Sequence, residues 1–305
     1  KMIDTFLDNG FNYFDTAHGY LGGKSEIALR SSLTSRYPRE SYVLTNKLSP
    51  NHFTCEADIR PLLQTQLEAC GVNYFDFYLM HAQNRNIFEH YKACRAYETA
   101  MELKKEGKIR HLGISFHDTA EVLDMILTTY PEIEVVQIQF NYIDYEDKGV
   151  QSRLCYEVCR KHNKPVIVME PVRGGSLVDL PDEAGALLDS AGGGSRASYA
   201  IRFAAGFEGI EMVLSGMGSM DMVNDNISCM KNFKPLDEKE KETIDKVVQL
   251  IRSQPLIPCT DCKYCMPCPY GLDIPGVLLH YNKCVNTGNV PESQQAKNYQ
   301  KARRA

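Results

Sequence analysis

The stretch YVLTNKLSPNHFTCEADIRPLLQTQLEACGVNYFDFYLMH (42–81) decides the architecture. It opens on a short apolar run, YVLTNK (42–47), and passes into CEADIRPLLQTQLEAC (55–70), whose apolar residues recur at helical spacing. Gly71 follows at once, where a left-handed residue usually stops a helix. FDFYLMH (75–81) then runs almost unbroken in apolar and aromatic residues. Strands covered on both faces have this composition. The stretch therefore predicts a strand, a helix and a second, parallel strand.

The same rhythm extends in both directions. NYFD (12–15), HLGIS (111–115), VVQIQFN (135–141), VIVME (166–170) and MVLSG (212–216) are further strand candidates. Between them lie helix candidates. SEIALRSSLTSR (25–36) starts on a Ser25 cap, and YKACRAYETAMELKKEG (91–107) ends in a lysine-rich turn and Gly107. DTAEVLDMILTTY (118–130), SRLCYEVCRKHN (152–163), SRASYAIRFAAG (195–206) and SMDMVNDNISCMKN (219–232) follow. SAGGGS (190–195) reads as a loop. Strict alternation of strand and helix implies a parallel sheet. Seven strands with no reversal signal favour an α/β protein of the closed (β/α)8 TIM-type barrel over an open sheet. The eighth strand would precede Lys1, and that start carries no visible secretory signal.

The pattern changes after LDEKEKETIDKVVQLIRSQ (236–254), a solvent-facing helix. Residues 1–254 are expected to form the barrel and 255–305 a small second domain. The chain has 305 residues, 43% hydrophobic and 24% charged, with a net charge of -5. That length can bury a large core. The mild acidity gives no support to a nucleic-acid binder, which needs a basic face. No apolar run reaches the roughly 18 residues of a membrane-spanning helix.

There are 11 cysteines. Seven stand singly, and four crowd into CTDCKYCMPC (259–268). Such crowding is poor geometry for mutual disulfides, and unbridged cysteines indicate a reducing, cytoplasmic setting. Cys259, Cys262, Cys265 and Cys268 form C-x2-C-x2-C-x2-C-P, the style of ferredoxin-type iron–sulfur ligation. Zinc is the rival. Zinc ribbons separate two C-x2-C knuckles by a dozen or more residues, and here the knuckles are nearly fused.

Three consecutive strands end in a polar residue: Asp15, Lys47 and His81. In a barrel of this kind those ends face the active site. Tyr20 lies in the loop above the same rim. A phenol is a poor acid near neutrality. An ammonium beside it favours the phenolate, and a carboxylate keeps the ammonium charged. A neutral imidazole can orient a carbonyl oxygen. With a hydride donor, the set would reduce a carbonyl.

At these residues the chain resembles the aldo/keto reductase family. The likeness runs over GFNYFDTAHGYLGGKSE (10–26), YVLTNK, YLMH (78–81), HLGIS, QFNY (139–142) and VLSGMGSMDMVNDN (213–226). It implies Tyr20 as proton donor, Lys47 as the group lowering its pKa, Asp15 as partner of Lys47 and His81 as substrate orienter. It also implies a nicotinamide nucleotide on the barrel rim. Ser115 and Gln139 would hold the carboxamide, Met169 would pack near the ring, and Gly216, Asp225 and Asn226 would lie near the adenosine half. Many members place Lys at the Gly216 position and Arg at the Met222 position to grip a 2′-phosphate. Both charges are absent, so the choice between NADP and NAD stays open, with Arg173 as a possible substitute.

The cysteine segment is similar to the first cluster motif of an iron–sulfur branch of the family, in which a second cysteine run follows. That resemblance implies a 4Fe-4S cluster on Cys259, Cys262 and Cys265. Cys268 would serve a second, incomplete cluster, with Cys284 as a fallback ligand. It further implies a chain continuing past Ala305. The expected partners are a small carbonyl or alcohol and an electron-transfer protein. Two other readings stand beside the reductase: a nucleotide-binding scaffold with little turnover, and an electron-transfer module whose barrel is a docking platform.

Overall fold

The computed structural model describes residues 1–253, 257, 259 and 265–287. Seven strands are present: β1 Tyr13–Asp15, β2 Val43–Leu48, β3 Phe75–Gln83, β4 Ile109–Phe116, β5 Val135–Gln139, β6 Val166–Met169 and β7 Ile210–Val213. The helices are α1 Met2–Asp8, α2 Lys24–Leu29, α3 Glu56–Cys70, α4 Arg85–Ala93, α5 Ala96–Lys105, α6 Ala120–Thr129, α7 Ser152–Lys161, α8 Asp182–Ala191, α9 Arg196–Ala205, α10 Met220–Lys231, α11 Glu238–Ser253 and α12 Ile274–Thr287. Among the described residues, no helix is long and apolar enough to cross a membrane.

The chain divides into two compact units. The first comprises Lys1–Pro171 and Phe207–Lys231. It holds one sheet in the order β1-β2-β3-β4-β5-β6-β7, every neighbouring pair parallel. The sheet is curled. Tyr13 of β1 packs in one apolar cluster with Leu79 of β3, Val135 of β5 and Ile167 of β6, and Val43 and Met212 lie against it. Strands at opposite ends of a flat sheet could not share a cluster. Gly113 of β4 makes room at this layer: a Cβ there would lie 2.5 Å from both Leu79 Cδ2 and Val135 Cγ1. The expected barrel is thus seen, among the described residues, as a curled sheet of seven parallel strands.

Local signals explain some of the helix ends. Gly71 stops α3 at φ 67. Three expectations are corrected. The helix after β1 is capped at Gly23, φ 83, rather than at Ser25, and its last part widens into a π-turn at Arg30–Thr34. The segment 91–107 is two helices. Arg95 takes a left-handed φ of 51 between them, so Phe88 and Tyr91 of α4 and Tyr97 of α5 all reach the interior. Tyr97 then stacks on Tyr130 at 4.1 Å. The third correction adds helices α8 and α12, which periodicity did not reveal.

The second unit comprises Val172–Gly206 and the chain from Asn232. Ala184 and Leu188 of α8 and Ile244 and Val247 of α11 are buried. Arg202 of α9 donates twice to the Glu240 carboxylate of α11, each time at 2.7 Å. A two-pronged guanidinium–carboxylate pair of this kind adds directional specificity to the packing. Asn282 of α12 bonds the backbone N–H and carbonyl of Ile257 at 2.8 and 2.7 Å.

Candidate functional site

The first unit brings Asp15, Tyr20, Lys47 and His81 together. β1 and β2 pair so that Asp15 stands opposite Thr45, and Lys47 follows two residues on. The Lys47 side chain is fully buried and its ammonium is ion-paired with Asp15. It also donates to the Thr16 carbonyl at 2.9 Å. The ammonium sits 4.8 Å from the centre of the Tyr20 ring. Burial disfavours the lysine charge, but Asp15 and then Tyr20 outweigh it and raise the Lys47 pKa above its ordinary value. A cation is therefore held permanently beside a phenol.

Tyr20 is 40% exposed, open to a ligand. Its loop is wound tightly. Leu21, Gly22 and Gly23 take successive left-handed φ values of 54, 64 and 83. Tyr20 N–H bonds the Ala17 carbonyl at 3.0 Å, and Gly23 N–H returns to the Tyr20 carbonyl at 3.1 Å. The Tyr20 and His81 rings meet edge to face, 5.8 Å apart at 72°. Burial, then the charge of Lys47, His117 and His52, pushes the His81 pKa down to about 3. Its imidazole is neutral at physiological pH. Its Nδ1 lies 2.7 Å from Ser49 Oγ.

Behind the four residues runs a buried polar network. The Glu26 carboxylate, 1% exposed, meets His18 Nδ1 at 2.9 Å and accepts from Asn46 Nδ2 at 2.8 Å. Asn46 Oδ1 accepts from Lys47 N–H at 2.8 Å and from Gln66 at 3.1 Å. Gln66 donates in turn to the Lys47 carbonyl at 2.9 Å. Both backbone polar groups of Lys47 are thus held by side chains, which fixes the base of the buried ammonium. Sequence reading missed this network, because its members are distant in sequence and ordinary in type.

The expected nucleotide contacts stand at adjacent strand ends. Ser115 pairs with Gln137 in register, and Gln139 with Met169. Ser115 Oγ accepts from Ala82 N–H at 2.8 Å, and Gln139 Nε2 donates to Asp144 at 2.6 Å. Gln137, not foreseen, reaches across the curled sheet to 3.4 Å from the second Asp15 oxygen. The signal was available: Val135, Gln137 and Gln139 share one face of β5, and a glutamine on an interior face requires a polar partner. In the loop after β7, a Cβ at Gly216 would meet nothing within 4 Å. Asn226 of α10 ties to Ser215 at 2.7 Å, with Asp225 beside it in the same helix.

The cysteine quartet lies only partly within the described residues. Cys259, Cys265 and Cys268 are free thiols, and Cys262 lies outside the described residues. Among the described residues, no three His, Cys, Asp or Glu side chains are grouped to hold a metal ion.

Fold and site define a parallel β/α-barrel protein with a phenol, a buried ammonium, a carboxylate and an imidazole on one rim. The family model for the aldo/keto reductase family matches residues 1–249, and the chain belongs to that family. It is similar to the NADH-specific methylglyoxal reductase of Escherichia coli K12, 28% identical over 195 residues, covering 57% of each chain. It is also similar to the L-galactose dehydrogenase of Arabidopsis thaliana, 25% identical over 264 residues, covering 79% of this chain and 80% of that one. The chain spans 57% to 61% of the length of several curated relatives. An aldo-keto reductase from Bacillus halodurans in its holo form superposes with a TM-score of 0.65 at 24% identity, covering 81% of this chain and 85% of that one. One from Klebsiella pneumoniae in complex with NADPH gives 0.66 at 19% identity, covering 81% and 83%.

Proposed function

We propose that this protein is an NAD(P)-dependent oxidoreductase acting on a small carbonyl or alcohol. The observation that carries the reading is the fully buried Lys47 ammonium, held between Asp15 and the exposed Tyr20, with neutral His81 across the ring. A carbonyl oxygen placed between Tyr20 and His81 would accept hydrogen bonds from both. When bound, the nicotinamide supplies or accepts hydride. As the carbonyl carbon is reduced, Tyr20 gives its proton to the oxygen. Lys47 stabilises the negative charge left on the phenol oxygen, and Asp15 keeps Lys47 charged. The reverse sequence oxidises an alcohol.

The residues present fit the nucleotide. Ser115, Gln139 and Met169 lie at successive strand ends, and Gly216 faces open space. The relatives' names support both NADH and NADPH. The missing cations at Gly216 and Met222 leave a 2′-phosphate without its usual grip.

The finer assignment is the iron–sulfur branch. Its support is the C-x2-C-x2-C-x2-C-P spacing of Cys259, Cys262, Cys265 and Cys268, whose soft thiolates suit iron. We draw the barrel over 1–254 and the cysteine segment over 255–305, close to where the family match ends at residue 249. Such a cluster would pass single electrons to a protein partner or serve as a structural clamp. The free thiols suit a cytoplasmic setting.

The test is oxidation of NADPH and NADH against a panel of aldehydes and ketones, with Tyr20→Phe as the control. Loss of a general acid is expected to cost about 10²- to 10⁴-fold in kcat. Equal turnover by wild type and Tyr20→Phe would overturn the reading and favour the scaffold alternative.

A further inference from the structure

His81 is the one member of the rim set whose chemistry depends on which nitrogen carries the hydrogen. A neutral imidazole has one donor and one acceptor. Only the tautomer with hydrogen on Nε2 can donate from Nε2 to a carbonyl oxygen while Nδ1 is engaged elsewhere. Nδ1 is engaged, 2.7 Å from Ser49 Oγ.

The direction of that bond follows from satisfiability. Ser49 is 8% exposed. Among the described residues, its hydroxyl has a single polar partner, His81 Nδ1. A buried hydroxyl hydrogen without an acceptor loses its bonds to water and gains nothing in return. If Nδ1 carried the hydrogen, it would donate to Ser49 Oγ and leave the serine's own hydrogen without an acceptor. If Nδ1 is bare, Ser49 donates to it and both groups are satisfied. Ser49 is itself held in place. It lies between Leu48, whose carbonyl accepts from the buried Tyr91 hydroxyl, and the short turn Pro50–His52, which begins with His52 N–H on the Ser49 carbonyl at 3.1 Å.

We propose that Ser49 is a positioning residue: by donating to His81 Nδ1 it locks the imidazole as the Nε2–H tautomer and aims that hydrogen at the substrate oxygen beside Tyr20. The inference deepens the reductase reading and rests on it for what Nε2 touches. The tautomer itself stands independently of turnover.

Two measurements test it on the intact chain. The first is the ¹⁵N spectrum of the histidine side chains near neutral pH, with His81 assigned by its loss in His81→Asn. The expected pattern is a protonated Nε2 and a bare Nδ1. A protonated Nδ1 overturns the proposal whether or not the protein reduces carbonyls. The second is steady-state kinetics of Ser49→Ala and Ser49→Thr. Ser49→Ala is expected to lose about tenfold in kcat with nucleotide affinity unchanged, and Ser49→Thr, which keeps the hydroxyl, is expected to recover most of it. An unchanged kcat in Ser49→Ala overturns the positioning role. Absence of turnover in the wild type would instead strike the reductase reading and leave the spectral result to decide the tautomer.

Discussion

Lys47 shows how one residue serves both chemistry and fold. A lysine buried without a partner would lose its charge; here Asp15 retains it, and Asn46 and Gln66 hold its backbone. His81 is the opposite case, a titratable group kept neutral. Its pKa is pushed down to about 3 from the ordinary 6.5, first by burial and then by Lys47 and its histidine neighbours. The unfolded chain therefore binds the His81 proton more readily than the folded one. The stability tied to this group is present above about pH 6.5 and is lost as pH falls towards 3. Urea midpoints measured from about pH 7 down to about pH 4.5 should fall, and His81→Asn should fall less steeply. Parallel declines in the two proteins would show that His81 is not the buried neutral group described here. The residue types Asp15, Lys47 and His81 were legible because each closes an apolar run. Ser49 and Glu26 were not, since nothing in their local sequence separates them from ordinary polar residues.

At the scale of elements, turns decided where periodicity stopped being informative. Gly71 was legible as the end of α3, and its φ of 67 is one that other residues adopt at a cost. Arg30 side-chain atoms also approach to 3.1 Å of a Cβ placed there. Gly71→Ala is expected to lower stability by about 1 kcal/mol or more in urea unfolding. A midpoint unchanged from wild type would contradict the left-handed stop. Arg95 gave no such signal. Arginine is a good helix former, and the residues around it repeat at helical spacing on both sides. The break between α4 and α5 exists because Phe88, Tyr91 and Tyr97 must all reach buried positions, a demand made by the rest of the barrel.

At the scale of the molecule, the chemistry proposed for the barrel and the cluster proposed for the cysteine segment can be tested separately. Anaerobically purified protein is expected to contain iron and to absorb broadly near about 400 nm. Cys259→Ser and Cys265→Ser are expected to lower the iron content, while Tyr20→Phe leaves it unchanged. Protein without iron or that band would remove the cluster assignment and leave the barrel chemistry standing. By itself, the sequence determined the order of strands and helices, their parallel sense, and the three polar residues at the strand ends. Those follow from local periodicity and from which residues stop it. Only the tertiary structure decided that these ends converge. Curling the sheet sets Asp15 within reach of Gln137 from β5, buries Lys47 beside Tyr20, and leaves Ser49 as the partner of His81. The physical reason is that hydrogen-bond partners and burial are properties of space, and residues dozens of positions apart share no local pattern that announces their meeting.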